Sequence, residues 1–142
     1  MDVTITSFTF SEDSQNVSNP SGKGNTLQLI NPQNLFRPPF IPCTYSFSVT
    51  CGLIKIDPHK THTVQFILES PEGDTPIKTD PINVPKNNNF DASLPDEANG
   101  FVFNLDFRNV PFKVKGEYKG KIIFNNELLG EYPLMFYPQE NN

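Results

Sequence analysis

Tyr45-Ser46-Phe47-Ser48-Val49-Thr50-Cys51 decides the fold class: ring-bearing and apolar residues alternate with small hydroxyl residues. The same beat returns in Phe101-Val102-Phe103-Asn104-Leu105-Asp106-Phe107 and along Tyr118, Gly120, Ile122 and Phe124. A period of two puts one side-chain set on each face of a pleated strand, so these segments read as half-buried β-strands. No stretch shows a convincing helical period. Seven or eight such segments with turns between them predict an all-β protein, an antiparallel immunoglobulin-like β-sandwich. The Cys…Trp…Cys core of true immunoglobulin domains is absent, and a closed barrel is the competing architecture.

Working outward, apolar parity in Val3–Phe10 changes across Ser7, which predicts a bulge or a strand that changes sheets. Residues 12–25 are polar around Asn19-Pro20-Ser21-Gly22-Lys23-Gly24 and read as a flexible loop. Thr26–Ile30 is a short strand, and Asn31–Pro42 a proline-broken loop. Cys43–Ile56 is the longest strand, with a bend at Gly52. After a turn at Asp57-Pro58-His59-Lys60, His62–Glu69 returns with Val64, Phe66 and Leu68 on one face. Pro71-Glu72-Gly73-Asp74 is a turn, and the prolines in Pro76–Pro85 place any strand there at a sheet edge. Lys86–Gly100 is an Asn- and Asp-rich loop with room for a short strand near Phe90–Leu94. Phe101–Phe107 is a strand, Arg108–Lys115 a connection, and Gly116–Phe124 a strand. Asn125-Asn126 suits a two-residue hairpin turn, because Asn tolerates positive φ. Leu128–Tyr137 closes the chain before a tail at 138–142.

The length, 142 residues, fits a single domain over 1–142. Thirteen Phe and four Tyr, with no Trp, supply bulky strand-favouring core material. The formal charge of −5 weighs against a phosphate-backbone partner, so no nucleic acid is expected. Met1-Asp2-Val3-Thr4-Ile5 lacks the basic and apolar regions of a signal peptide. No apolar run approaches the roughly 20 residues that cross a bilayer. A cytoplasmic protein without membrane contact is the expectation. Cys43 and Cys51 lie in one strand, roughly 26 Å apart at about 3.3 Å per residue, too far for a disulfide; buried free thiols are expected.

If each strand crosses the sandwich once, the loops 31–42, 71–75 and 108–115 share one end. Loops 57–61, 85–100 and 125–126 share the other. The first end carries Phe36, Arg37, Phe40, Ile41, Val110 and Phe112 among prolines. Aromatic and Arg side chains are enriched at interface hot spots, so these six are the candidates for binding a protein partner. The alternative is that the same loops fold inward and plug the core. At the other end, His59, His62, Asp91, Asp96 and Glu97 lack the spacing of a zinc or calcium motif and read as solvated loop residues. No metal or cofactor is expected.

Nucleophilic catalysis needs a base beside the nucleophile, yet the two His lie around one turn and no Gly-x-Ser-x-Gly elbow occurs. Gly22-Lys23-Gly24 lacks the strand and helix of a phosphate loop. Asp106, at outward parity, is expected to pair with Lys119 or Lys121 across strands. Lys113, Lys115, Lys119 and Lys121 are read as a solvated basic face.

Four features in order carry a resemblance: Thr26-Leu27-Gln28-Leu29-Ile30; the Phe36…Phe40…Pro42 loop followed by the Tyr45–Cys51 strand; Val64-Gln65-Phe66-Ile67-Leu68-Glu69-Ser70-Pro71-Glu72-Gly73; and Gly116-Glu117-Tyr118 ahead of a hairpin and a Pro133-Leu134 strand. From Thr26 onward the chain resembles small bacterial cytoplasmic β-sandwich proteins of uncharacterised function. The resemblance implies the sandwich and supplies no active site. The functional expectation is a non-enzymatic intracellular protein-interaction module. The Asn, Lys, Ile and Phe usage of AT-rich genomes makes a phage- or mobile-element-encoded inhibitor of a host protein its specific version. A carbohydrate- or surface-binding module and an enzyme with dispersed carboxylates are the alternatives. Nothing in the sequence specifies an oligomeric state.

Overall fold

A computed structural model describes residues 2–19, 21–22 and 24–139. Its strands are β1 (Thr4–Ser18), β2 (Asn25–Gln33), β3 (Leu35–Phe36), β4 (Cys43–Ile54), β5 (His62–Glu69), β6 (Ile77–Lys78), β7 (Ile82–Val84), β8 (Gly100–Phe112), β9 (Gly116–Phe124) and β10 (Glu127–Phe136). Seven are long; β3, β6 and β7 are pieces of two or three residues. A single turn of 3-10 helix, Asp96–Ala98, is the sole helical segment among the described residues.

One sheet has the order β2-β1-β4-β8 and the other β3-β10-β9-β5-β6, with β7 also on β5. All pairings are antiparallel except that of β3 with β10. The chain crosses between sheets from β4 to β5 and from β8 to β9, so strands adjacent in sequence face each other across the core. This is the immunoglobulin-like sandwich expected from the alternation.

Burial follows the period of two. Along β5, Val64, Phe66 and Leu68 are buried while Thr63, Gln65, Ile67 and Glu69 are half-buried. Phe47, Val49, Cys51 and Leu53 of β4 meet them from the opposite sheet. Each such ring or branched side chain contributes about 1.5–3 kcal/mol through burial.

A tyrosine corner ties the β8–β9 crossover. The Tyr118 hydroxyl, near the start of β9, donates to the Val114 carbonyl four residues upstream at 2.6 Å, as in immunoglobulin-like domains. In antibody domains a cysteine lies two residues beyond that tyrosine; here the position is Gly120. A Cβ at Gly120 would sit 2.9 Å from Phe10 and 3.2 Å from Phe66. Aromatic rings therefore fill the space a disulfide would cross. Cys43 and Cys51 are both free.

The predicted bulge is present: β1 shifts register against β4 between Ile5 and Ser7. Gly52 lies opposite Ser7, where a Cβ would come within 2.8 Å of the Thr6 and Ser7 hydroxyls. Asn125 and Asn126 take φ of 50° and 68°, the positive pair of a tight hairpin turn. The pieces β6 and β7 lie at a sheet edge, where prolines are tolerated.

Several boundaries differ from the sequence reading. Most of 12–25 is not loop: β1 continues to Ser18 and β2 begins at Asn25, with Pro20 and Lys23 outside the described residues. β8 extends to Phe112, through most of the expected 108–115 connection. Phe90–Leu94 forms turns and no strand. In the tail, Gln139 is held by its amide on the Pro38 carbonyl at 2.8 Å, and 140–142 lie outside the described residues.

Candidate functional site

The end of the sandwich formed by loops 31–42, 71–75 and 108–115 brings together the six candidate side chains and sorts them into two groups. Phe36, Val110 and Phe112 are 1%, 6% and 0% exposed and belong to the core. The sequence offered them as partner-binding candidates or as a plug of the core; for these three the structure shows the plug. Phe36 packs on Tyr45 and Phe47 at 5.0 and 5.6 Å between ring centroids. Phe112 stacks on Phe136 at 3.8 Å, and Tyr118 meets both rings. β3 pulls Phe36 inward by pairing with β10, and a bulge at Asn109 (φ 55°), where β8 slips register against β4, switches the inward parity from Phe107 to Val110 and Phe112. Ile41 is half-buried against the same cluster.

Arg37 and Phe40 remain outside. Phe40 is 62% exposed, the most exposed large apolar side chain among the described residues. Its loop is tied down upstream. The Arg37 guanidinium donates to the Tyr137 and Pro138 carbonyls at 3.0 and 2.7 Å, and Gln139 returns a bond to the Arg37 carbonyl at 2.7 Å. Tyr137 N–H reaches the Phe36 carbonyl at 3.1 Å. Downstream, Ile41 anchors the loop on the core and Ile41–Pro42 is cis. Leu35, Arg37, Lys115, Tyr137 and Pro138 line a shallow hollow beside it. The role of Tyr137, at the end of the last strand, was not seen in sequence; its position next to an alternating run concealed that it would lie beside Arg37.

A second hollow at this end, about 300 Å³, is lined by Ser70, Asp74, Pro76, Pro111, Lys113 and Tyr118 among others. Its floor is ordered by Ser70, whose hydroxyl accepts the Glu72 and Asp74 amides at 3.2 and 3.1 Å.

At the opposite end, Asp57, His59 and Asp96 bring one ligand atom each within 4.8 Å of one another. His59 Nε2 lies 3.4 Å from Asp96. The Lys60 ammonium, 3.9 Å from Asp57, already faces that carboxylate, and all three groups are at the surface. His62 is not with them. Its Nε2 donates to the Asp57 carbonyl at 2.9 Å and its Nδ1 accepts the Asn125 amide at 3.0 Å. A carbonyl only accepts and an amide N–H only donates, so the two partners place the ring proton on Nε2. Asp91 is bonded to Ser93 by both its hydroxyl and its amide, which holds its carboxyl below the usual range. Asp57 was not among the sequence candidates, although it opens the turn that carries His59.

Asp106 does not pair with Lys119 or Lys121. Those lysines are on β9, in the other sheet. Lys121 sits between Glu69 and Glu131 at 3.3 and 3.6 Å, half-buried and not part of a free basic face. Asp106 instead accepts Ser48, Ser14 and Asn104 on the outer side of the β4–β8 pair. Ser48 first, then Ser14, Asn104 and the Arg108 charge, outweigh partial burial and hold its carboxyl below the ordinary range. Burial pushes the Cys51 thiol up to about 12, far from a reactive thiolate.

The family model of DUF6941, a family of unknown function, matches residues 13–136. The chain belongs to that family. No curated protein matches it. Among solved structures, the alkylpurine DNA glycosylase AlkC of Pseudomonas fluorescens, bound to DNA containing an abasic-site analogue, is similar with a TM-score of 0.53 and 8% identity. That match covers 95% of this chain and 30% of the glycosylase, and it is a likeness of fold. An immunoglobulin-like protein from Pseudomonas aeruginosa is 17% identical, with a TM-score of 0.35, over 96% of this chain and 97% of its own. For this member of DUF6941 the site resolves into a plugged aromatic end that still presents Phe40 and Arg37, and an opposite end with surface carboxylates beside the His59 imidazole.

Proposed function

We propose that this DUF6941 chain is a non-enzymatic protein-interaction module that binds its partner through the Arg37–Phe40 loop. The observation carrying this reading is Phe40, a ring left 62% exposed on a loop tied down at both flanks. A pre-ordered aromatic beside an arginine has the composition of an interface hot spot, and the ordering cost of binding is small. The plugged core leaves the loop free to vary its contacts without costing the fold. Two unpaired thiols support an intracellular, reducing setting.

DNA binding, as in the glycosylase, has less support. Acidic side chains outnumber basic ones, 16 to 11, and Lys121 is engaged by two carboxylates.

The test is affinity capture from source cells with wild-type bait, with Phe40→Ser, and with Leu128→Ser. Leu128 is 55% exposed at the other end, so its variant controls for lost surface apolarity. Capture should fail with Phe40→Ser alone, at an unaltered thermal midpoint. Equal capture by all three baits would refute the reading.

A further inference from the structure

The outer face of the β4–β8 pair is polar and yet partly sealed. Ser11 and Ser48 are 0% and 1% exposed although both alternate away from the core, and outward Thr50 is buried with them. What seals them is the second half of β1. This strand pairs with β4 only from Thr4 to Ser11, where Ser11 lies opposite Ser48. Beyond that point it leaves β4's edge, and Ser14 bonds to Asn104 and Asp106 on β8, on the far side of β4. The β1–β2 hairpin therefore lies across the sheet face.

Hinge and latch are both visible. The β1–β2 register runs Ser11↔Pro32, then Asp13↔Ile30, and omits the Glu12–Asn31 pair between them. Asn31 has φ of 54°, and its side-chain amide donates to Glu12 at 2.8 Å. The contacts beyond the hinge are polar. Thr50 donates to Asn104 at 2.8 Å, Asn104 to Ser14 at 2.7 Å, and Ser14 to Asp106 at 2.9 Å. Ser48 also donates to Asp106, and Arg108 reaches Asp13 at 3.5 Å. Of the hairpin's apolar residues, Val17 and Ile30 are exposed, and Leu27 and Leu29 are half-buried outside the core cluster.

We propose that the paired segments 13–18 and 25–30 form a strap that swings off the outer face of β4–β8 about the Glu12–Asn31 hinge when the Ser14–Asn104–Asp106 latch opens. Opening bares the hydroxyl strip of Ser11, Ser48 and Thr50 and leaves the core between the sheets intact. A detached two-stranded hairpin is marginal in water, so its amides become exchangeable with each opening.

Hydrogen–deuterium exchange read by mass spectrometry tests this. In Asp106→Asn and in Ser14→Ala, amides of 13–18 and 25–30 should exchange about tenfold faster, the scale of one lost charge-assisted bond. Amides of β5 and β9, which open only with the whole fold, should stay slower than strap amides in wild type and in both variants. Strap amides that exchange no faster than the core, or that neither variant accelerates, would overturn the proposal. A second variant does not depend on weakening the fold: Ser14→Cys with Asn104→Cys, once oxidised, should slow strap exchange below that of its reduced form. Strap exchange unaffected by that cross-link would equally overturn it.

Discussion

Phe36 and Phe40 stand four positions apart in one loop and have opposite roles. Phe36 touches Tyr45, Phe47 and Phe136. Truncation to Ala should cost about 3–5 kcal/mol, as for other buried aromatics, whereas Phe40→Ala should stay within about 0.5 kcal/mol. Urea unfolding of the two variants separates them. The thiols differ in the same way. Burial raises both, but only Cys43 is partly accessible. A thiol reagent should modify Cys43 slowly in the native protein, and Cys51 only after denaturation. Asp106 adds a pH dependence. Arg108, itself paired with Asp13, is the charged group acting on its carboxyl. A carboxyl depressed by folding stabilises the native state above its unfolded value, near 3.8, and that contribution is lost as pH falls through the lower folded value. Asp106→Asn should therefore melt below wild type at pH 7, and the gap should close in a titration of the thermal midpoint toward acid.

At the scale of elements, the β8–β9 corner is the joint that sets which strands face each other. Tyr118→Phe removes the bond to Val114 and should cost about 0.5–1.5 kcal/mol. Gly120→Ala drives a methyl into Phe10, Phe66 and Phe8 and should cost about 1–3 kcal/mol by overpacking; both are read by chemical denaturation. Elements that bury one apolar face were legible: Val64, Phe66 and Leu68 of β5, the parity change at Ser7 and the Asn125-Asn126 turn all follow from side-chain chemistry. The β1–β2 hairpin was not, because Ser14, Gln15 and Asn16 are ordered by cross-strand pairing and a polar latch, which leave no apolar alternation. The Asp106 partner was misread for a topological reason. Outward parity was right, but β8 and β9, consecutive in sequence, lie in different sheets. The partner surface was half legible: Phe36, Phe40 and Phe112 are the same residue type in proline-rich surroundings, and only the β3–β10 pairing and the continuation of β8 decide which rings turn inward.

For the molecule as a whole, alternation of strand direction places the loops as the sequence implied. Loops 57–61, 85–100 and 125–126 meet at one end, as Asn87 on the Pro58 carbonyl, Asn99 on Ile56 and Asn125 on Thr63 show. The opposite end holds the aromatic plug, and on it the anchored Phe40 loop. Binding should be governed by that loop while folding is governed by the rings beneath it. The most direct measurement is the affinity of the captured partner for wild type and for Phe40→Ser, taken with the unfolding midpoint of each. A loss of at least about tenfold, the scale of an aromatic hot spot, at an unchanged midpoint is the predicted result. Equal affinities in two equally stable proteins would contradict it.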